Sequence, residues 1–189
     1  MESYFRAAIK NVALYGDTDI FPFPLENRII SDETDNILGI LQDYYSDFDT
    51  NFSNSPPSDI RSMVPISQTG FRWGTQLDPI WNIFFLGVVL SLSEKIEASR
   101  LSTENIFSYR IDHSSFSEGR LFRTDIGWRD FMKHTDDLSK EGEFIVVCDI
   151  ADCYGRISHH KIENSLQLID ADAAQKKSIL GYLSYLSLT

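Results

Sequence analysis

Residues 78–92, Asp-Pro-Ile-Trp-Asn-Ile-Phe-Phe-Leu-Gly-Val-Val-Leu-Ser-Leu, restrict the fold more than any other stretch of the chain. Asp followed by Pro opens a helix. The carboxylate accepts the unpaired N–H groups of the first turn, and Pro at the first helical position has no N–H left to satisfy. The residues that follow are apolar on nearly every side, so the helix belongs inside a domain rather than on its surface. Its apolar part, 80–92, is about thirteen residues and contains Asn82, too short to span a bilayer. The pattern predicts a buried helix running to about Arg100, with the more polar 94–100 reaching the surface. A chain of 189 residues, 42% hydrophobic and 13% aromatic, has the apolar mass to enclose it in one core.

Around this helix the periodicities alternate between helix and strand. Residues 2–14 place Phe5, Ile9 and Val12 on one helical face, and Gly16 closes the helix. Pro22 and Pro24 predict an extended loop over 17–24. Ser31, followed by Asp32 and Glu33, reads as an N-cap, after which Ile37, Leu38, Leu41, Tyr44, Tyr45 and Phe48 keep helical spacing. The polar run 49–59, with Pro56-Pro57, reads as a loop. Residues 107–111 and 120–123 read as two short strands of a hairpin joined by the turn-rich 113–119. Residues 126–138 predict a helix with Trp128, Phe131, Met132 and Leu138 as its apolar face, broken at Glu141-Gly142. Residues 144–150, Phe-Ile-Val-Val-Cys-Asp-Ile, predict a strand buried on both faces. Residues 160–169 and 173–188 predict helices, the last with no capping signal at its end, as a cut helix would look. The sum is an α+β chain, mostly helical with a small antiparallel sheet.

Composition narrows the classes. Cys148 and Cys153 form neither a CxxC pair nor a disulfide framework and read as reduced, buried thiols of a cytoplasmic protein. The four His are not spaced to complete a zinc site with them. The N-terminus has no continuous apolar stretch of the kind a secretory signal needs, and no membrane association is expected. The net charge of −11 argues against a broadly basic nucleic-acid surface and favours a protein-binding or plain soluble domain.

The chemistry-bearing stretch is Phe144-Ile-Val-Val-Cys-Asp149-Ile150-Ala-Asp152-Cys153-Tyr154-Gly-Arg-Ile157. An apolar strand would deliver one carboxylate to its end, with a second acid three residues on and an aromatic five on. Two-metal phosphoryl transfer needs a rigid carboxylate that bridges divalent ions, with a backbone carbonyl such as that of Ile150 alongside. An Asp at a strand end also serves kinases, phosphatases, nucleases and GTPases. The plain alternative is that Asp149 caps the next turn and Tyr154 fills the core. His159-His160 opens a helix, and adjacent helical residues do not face each other, so the pair makes a poor ligand set. Trp73, with Phe71 and Arg72, suits either stacking on a nucleic-acid base or anchoring the fold.

The run Asp149-Ile-Ala-Asp-Cys-Tyr154-Gly-Arg-Ile157-Ser-His-His resembles motif A of reverse transcriptases, most closely the bacterial group of retron, abortive-infection and phage-defence enzymes. Looser similarities are Leu14-Tyr-Gly-Asp17 through Glu26, Asp78-Pro79, Ile96-Glu97 with Arg100, Phe107-Ser-Tyr-Arg110, and Leu121-Phe122 with Trp128 and Phe131. The resemblance implies a right-hand polymerase, with fingers over 1–140 and the start of the palm over 141–189. It implies that Asp149 and the Ile150 carbonyl hold Mg²⁺, or Mn²⁺ in its place. It implies that Asp152, Cys153 and Tyr154 contact the incoming dNTP, Tyr154 as the gate against a 2′-hydroxyl, and that Arg110 and Arg123 on the hairpin reach the triphosphate. Each Arg also reads as a solvated or ion-paired strand residue, Arg123 more so than Arg110. The implied partners are an RNA template and a DNA or RNA primer, with a partner protein or a second copy besides.

The sequence departs from this family in one respect. A Tyr-x-Asp-Asp pair should follow motif A, and none does. Asp170 and Asp172 lie in a turn between helices, and Asp136-Asp137 precedes motif A. The expectation is therefore an RNA-directed DNA polymerase whose fingers and first palm segment are present, incomplete for catalysis as it stands. The competing expectations are a catalytically inactive reverse-transcriptase-like module that binds RNA or a protein, and a different Mg²⁺ phosphotransfer enzyme.

Overall fold

The computed structural model of the chain describes residues 1–16, 26–65, 68, 70–104, 106–140, 142, 144, 146–150 and 156–188. Its centre is helix α5, Pro79–Leu90. Asp78 caps it as its sequence predicts, its carboxylate accepting the N–H groups of Ile80 (2.9 Å) and Trp81 (3.1 Å). Trp81, Ile83, Phe84, Val88 and Leu90 are all buried to within 1% of full enclosure. Helices α1 (Glu2–Tyr15), α3 (Thr34–Ser46) and α9 (Ala173–Leu188) pack around it.

Ring packing unites these helices. Phe5 and Phe48 each stack on Phe84 at 5.9 Å, Tyr44 stacks on Trp81 at 4.4 Å, and Phe85 on Tyr182 at 4.9 Å. A fully buried ring of this kind contributes roughly 1.5–3 kcal/mol by transfer from water. The α1–α5 contact is close because Gly87 faces Phe5, where an added Cβ would stand 2.3 Å from the ring.

The predicted 79–100 helix is two helices. α5 stops at Leu90, and α6 (Ser93–Ser99) leaves it at 52°. Ser91 explains the bend, since its hydroxyl donates back to the Val88 carbonyl (2.6 Å) and accepts from Gln175 Nε2 (2.8 Å). Ser31, expected as an N-cap, lies inside α2 (Glu26–Asp32). α3 begins only after Glu33, beside the Thr34 hydroxyl that donates to the Ser31 carbonyl (3.0 Å). The polar run 49–59 is a loop only over 55–58. Asp47 accepts the Thr50 N–H (3.3 Å) and starts a short helix α4, Phe48–Asn54, because an Asp at the cap outweighs the polar composition that follows.

The one regular sheet among the described residues is a hairpin of β1 (Asp59–Pro65) and β2 (Phe71–Leu77), antiparallel with Met63 opposite Trp73. The hairpin expected at 107–123 shrinks to a single bridge, Ile111 with Phe122. It is extended by Asp112 N–H to Leu121 O (2.8 Å) and Arg123 N–H to Arg110 O (2.9 Å). Between them the turn-rich segment winds into a 3-10 helix, His113–Glu118. Asp112 caps it at one end and Gly119 closes it at φ 77°, a conformation that costs other residues strain. This arm leads into α7, Trp128–Ser139. α8 (His159–Leu168) and α9 form as expected, joined through Asp170 at φ 51°. Asp172 and Gln175 cap α9 reciprocally, at 2.8 and 2.9 Å.

Among the described residues 144 and 146–150, the strand expected at 144–150 is not formed. Phe144, Val146, Val147 and Ile150 are 70–87% exposed and lie in no sheet. A strand needs a ladder partner, and β1 and β2 pair only with each other. Cys148 is correspondingly exposed rather than buried. The loop expected over 17–24 lies outside the described residues. The chain is thus mostly helical with a small antiparallel sheet. No single described helix is long and apolar enough to cross a membrane.

Candidate functional site

Asp149 ends an apolar run that stands clear of the helical body, and its carboxylate is open to solvent. Its Oδ1 accepts the N–H of the next residue, Ile150, at 2.8 Å. Asp152, Cys153 and Tyr154 lie outside the described residues. Among the described residues no three His, Cys, Asp or Glu side chains converge on one point. The Asp149 carboxylate with the neighbouring carbonyl therefore does not make a divalent-metal site by itself. Such a site needs further carboxylates.

The two arginines expected on the triphosphate have different surroundings. Arg110 is buried, with its side chain 7% exposed, and Nη1 pairs with Glu97 Oε2 at 3.2 Å while Nη2 donates to the Leu101 carbonyl. Glu97 also accepts the Ile111 N–H (3.1 Å) and Arg100 Nη1 (2.8 Å), so it clamps the start of the arm to α6. Burial pushes the Glu97 carboxyl up. The Ile111 N–H and the Arg110 and Arg100 guanidinium groups outweigh that and hold it below the usual carboxylate range. Arg110 is thus a brace of the fold, and the structure does not present it to a nucleotide.

Arg123 is exposed. Its Nε donates to Asp125 Oδ1 (2.8 Å) and its Nη2 pairs with Asp125 Oδ2, which keeps the Asp125 carboxyl below its ordinary range. It lines an open groove of about 630 Å³ between the end of α1, the arm and the first turn of α7. Tyr109 and Phe122 face each other across the bridge with ring centroids 5.3 Å apart, and Trp128 lies 71% exposed on the α7 side beside Arg129. The sequence placed Trp128 on the apolar face of its helix. The visible signal for a surface role was its place in the first turn of a helix otherwise rich in charge. No protein-family model, curated protein or solved structure matches the chain.

The other singled-out groups stand apart from this groove. Trp73 and Phe71 are 71% and 64% exposed on β2, so they do not anchor the core. His159 and His160 open α8 behind the Ser158 cap, and Asp136 and Asp137 both pair with Lys140 at 3.0 Å. His113 accepts from or donates to the Ser93 hydroxyl at 2.8 Å.

Proposed function

We propose that the chain is the fingers and first palm segment of an RNA-directed DNA polymerase of the bacterial reverse-transcriptase kind, acting in the cytoplasm and serving phage defence. The observation that carries this reading is the run Asp149-Ile-Ala-Asp-Cys-Tyr154-Gly-Arg, with the Asp149 carboxylate accessible to solvent at the end of its apolar approach. In the reaction, the primer 3′-hydroxyl attacks the α-phosphate of a dNTP and pyrophosphate leaves. Asp149 and the Ile150 carbonyl would help to hold the divalent ion, which would stabilise the charge on the transferring phosphate. Tyr154 sits against the sugar and excludes a 2′-hydroxyl. Arg123 exchanges its exposed pairing with Asp125 for the triphosphate, a guanidinium fork being matched to phosphate.

A second reading is favoured by the net charge of −11: a catalytically inactive module of the same kind that binds RNA or a partner protein. Incorporation of labelled dTTP on poly(rA) primed with oligo(dT), with Mg²⁺, by the product of the whole reading frame separates the two. The polymerase reading expects incorporation that stops when the template is omitted. Incorporation at background level with and without template supports the inactive module.

A further inference from the structure

A separate groove of about 730 Å³ lies between α1 and the 3-10 helix of the arm. Its long wall is one face of α1, where Ser3, Arg6, Lys10, Ala13 and Leu14 recur every three or four residues. From Ser3 to Leu14 that face is about 16 Å long at the helical rise. The 3-10 helix supplies the facing wall, and Lys10 Nζ reaches across to the Ser117 carbonyl at 2.5 Å. The floor between the walls is apolar. Ala7 and Ile9 are buried there, and Ala13, Leu14 and the Phe116 ring continue it.

The charge of this lining runs against that of the chain. Acids outnumber basic residues 28 to 17 overall, yet the described residues lining the groove include Arg6, Lys10 and His113 and no Asp or Glu. Lys10 has no carboxylate partner among the described residues. Arg6 pairs with Glu2 at 3.0 Å and Asp35 at 2.9 Å, but the three side chains are 45–87% exposed, and pairs so open to water are weak and exchange readily. Fixed positive charge over an apolar floor selects a ligand that carries both features, and the volume lies in the range of small-molecule sites, about 300–1,000 Å³.

We propose that this groove binds a small amphipathic anion, a carboxylate or phosphate carried on a hydrocarbon body. The head sits between Lys10 and Arg6, whose N–H groups make charge-assisted hydrogen bonds to either anion. The body covers Ala13, Leu14 and Phe116 and leaves water in doing so. A bare inorganic anion would leave the floor uncovered, and a neutral hydrocarbon would leave Lys10 without a counter-charge. The site uses none of the residues that the polymerase reading assigns, so it stands or falls independently of that reading.

The test is isothermal titration calorimetry of the full chain at low salt with decanoate, decyl phosphate, decanol and inorganic phosphate, each below its micellar concentration. The expected result is saturable binding of decanoate or decyl phosphate, with decanol and inorganic phosphate at least tenfold weaker. Lys10→Gln should weaken the bound anion about tenfold, as loss of one charge-assisted hydrogen bond predicts, and leave decanol unchanged. Lys10→Arg should keep most of the affinity, which separates lost charge from a disturbed arm. Leu14→Ala, at a side chain 54% exposed, should weaken the anion and decanol alike, and Lys133→Gln on the exposed surface of α7 should change nothing. Absence of binding by both amphipathic anions overturns the proposal. So does binding of decanol or inorganic phosphate as tight as theirs, or an equal loss in Lys10→Gln and Lys133→Gln.

Discussion

Glu97 is the residue whose removal should most disturb the arm that carries the groove. Three donors converge on its carboxylate: the Ile111 N–H at 3.1 Å, Arg100 at 2.8 Å and Arg110 at 3.2 Å. Glu97→Ala strips the buried Arg110 of its counter-charge and leaves it the Leu101 carbonyl. Breaking a buried pair by removing one member costs about 3–5 kcal/mol. The Glu97 side chain is 20% exposed, so water relieves part of the cost, and the lower end, about 3 kcal/mol, is expected. That is a large share of the total stability of a domain, about 5–15 kcal/mol. Urea denaturation at pH 7 measures it. Glu97→Ala/Arg110→Met should recover most of the loss, because no charge is then stranded. The reasoning fails if Glu97→Ala costs under about 1 kcal/mol, or if the double variant is no more stable than the single one.

The same site has a pH signature. The folded carboxyl titrates below its unfolded value of 4.5, so its stabilisation is complete well above that pH and is lost as pH falls through the folded value. The stability difference between wild type and Glu97→Gln should therefore be full at pH 7 and shrink progressively below about pH 4.5. A difference that grows on acidification would contradict this assignment.

Two glycines in helices should respond with opposite signs. Gly87→Ala places a methyl 2.3 Å from the fully buried Phe5 ring, which Phe84 and Tyr45 hold in place. Overpacking of about 1–3 kcal/mol then exceeds the gain of about 1 kcal/mol in helix propensity, and the protein should lose stability. Gly39→Ala meets nothing within 4 Å on the exposed side of α3 and should gain about 0.5–1 kcal/mol. Thermal denaturation followed by circular dichroism reads both. Asp78→Ala leaves the Ile80 and Trp81 N–H groups without their cap and should cost about 1–2 kcal/mol, while Asp78→Ser should restore most of it, as urea midpoints would show.

What could be read from the residues was whatever local chemistry decides. Asp78-Pro79 with an apolar run specified the central helix, and Gly16 and the turn through Asp170 marked helix ends where they occur. Two kinds of feature were not legible. The first depends on a side chain turning back on its own backbone: Ser91 splits one apolar helix into two by bonding the Val88 carbonyl, which no periodicity reveals. The second depends on partners distant in sequence. The β1–β2 hairpin forms from segments in which no strand was read. Residues 144 and 146–150, from the best strand by composition, have no partner strand among the described residues and remain exposed. At the candidate site, Asp149 and Arg123 were visible as residue types in a suggestive order. Which of the two hairpin arginines is exposed was not, because Glu97, which holds Arg110, lies 13 residues away on another element.

The most direct test of the account compares dNTP incorporation by the whole reading frame's product with that of its Asp149→Ala variant, on a primed RNA template with Mg²⁺. If Asp149 is the carboxylate around which transfer is organised, the variant should lose more than about a hundredfold in rate while its thermal denaturation stays unchanged, the residue being exposed. Incorporation by Asp149→Ala at the wild-type rate would contradict the claim.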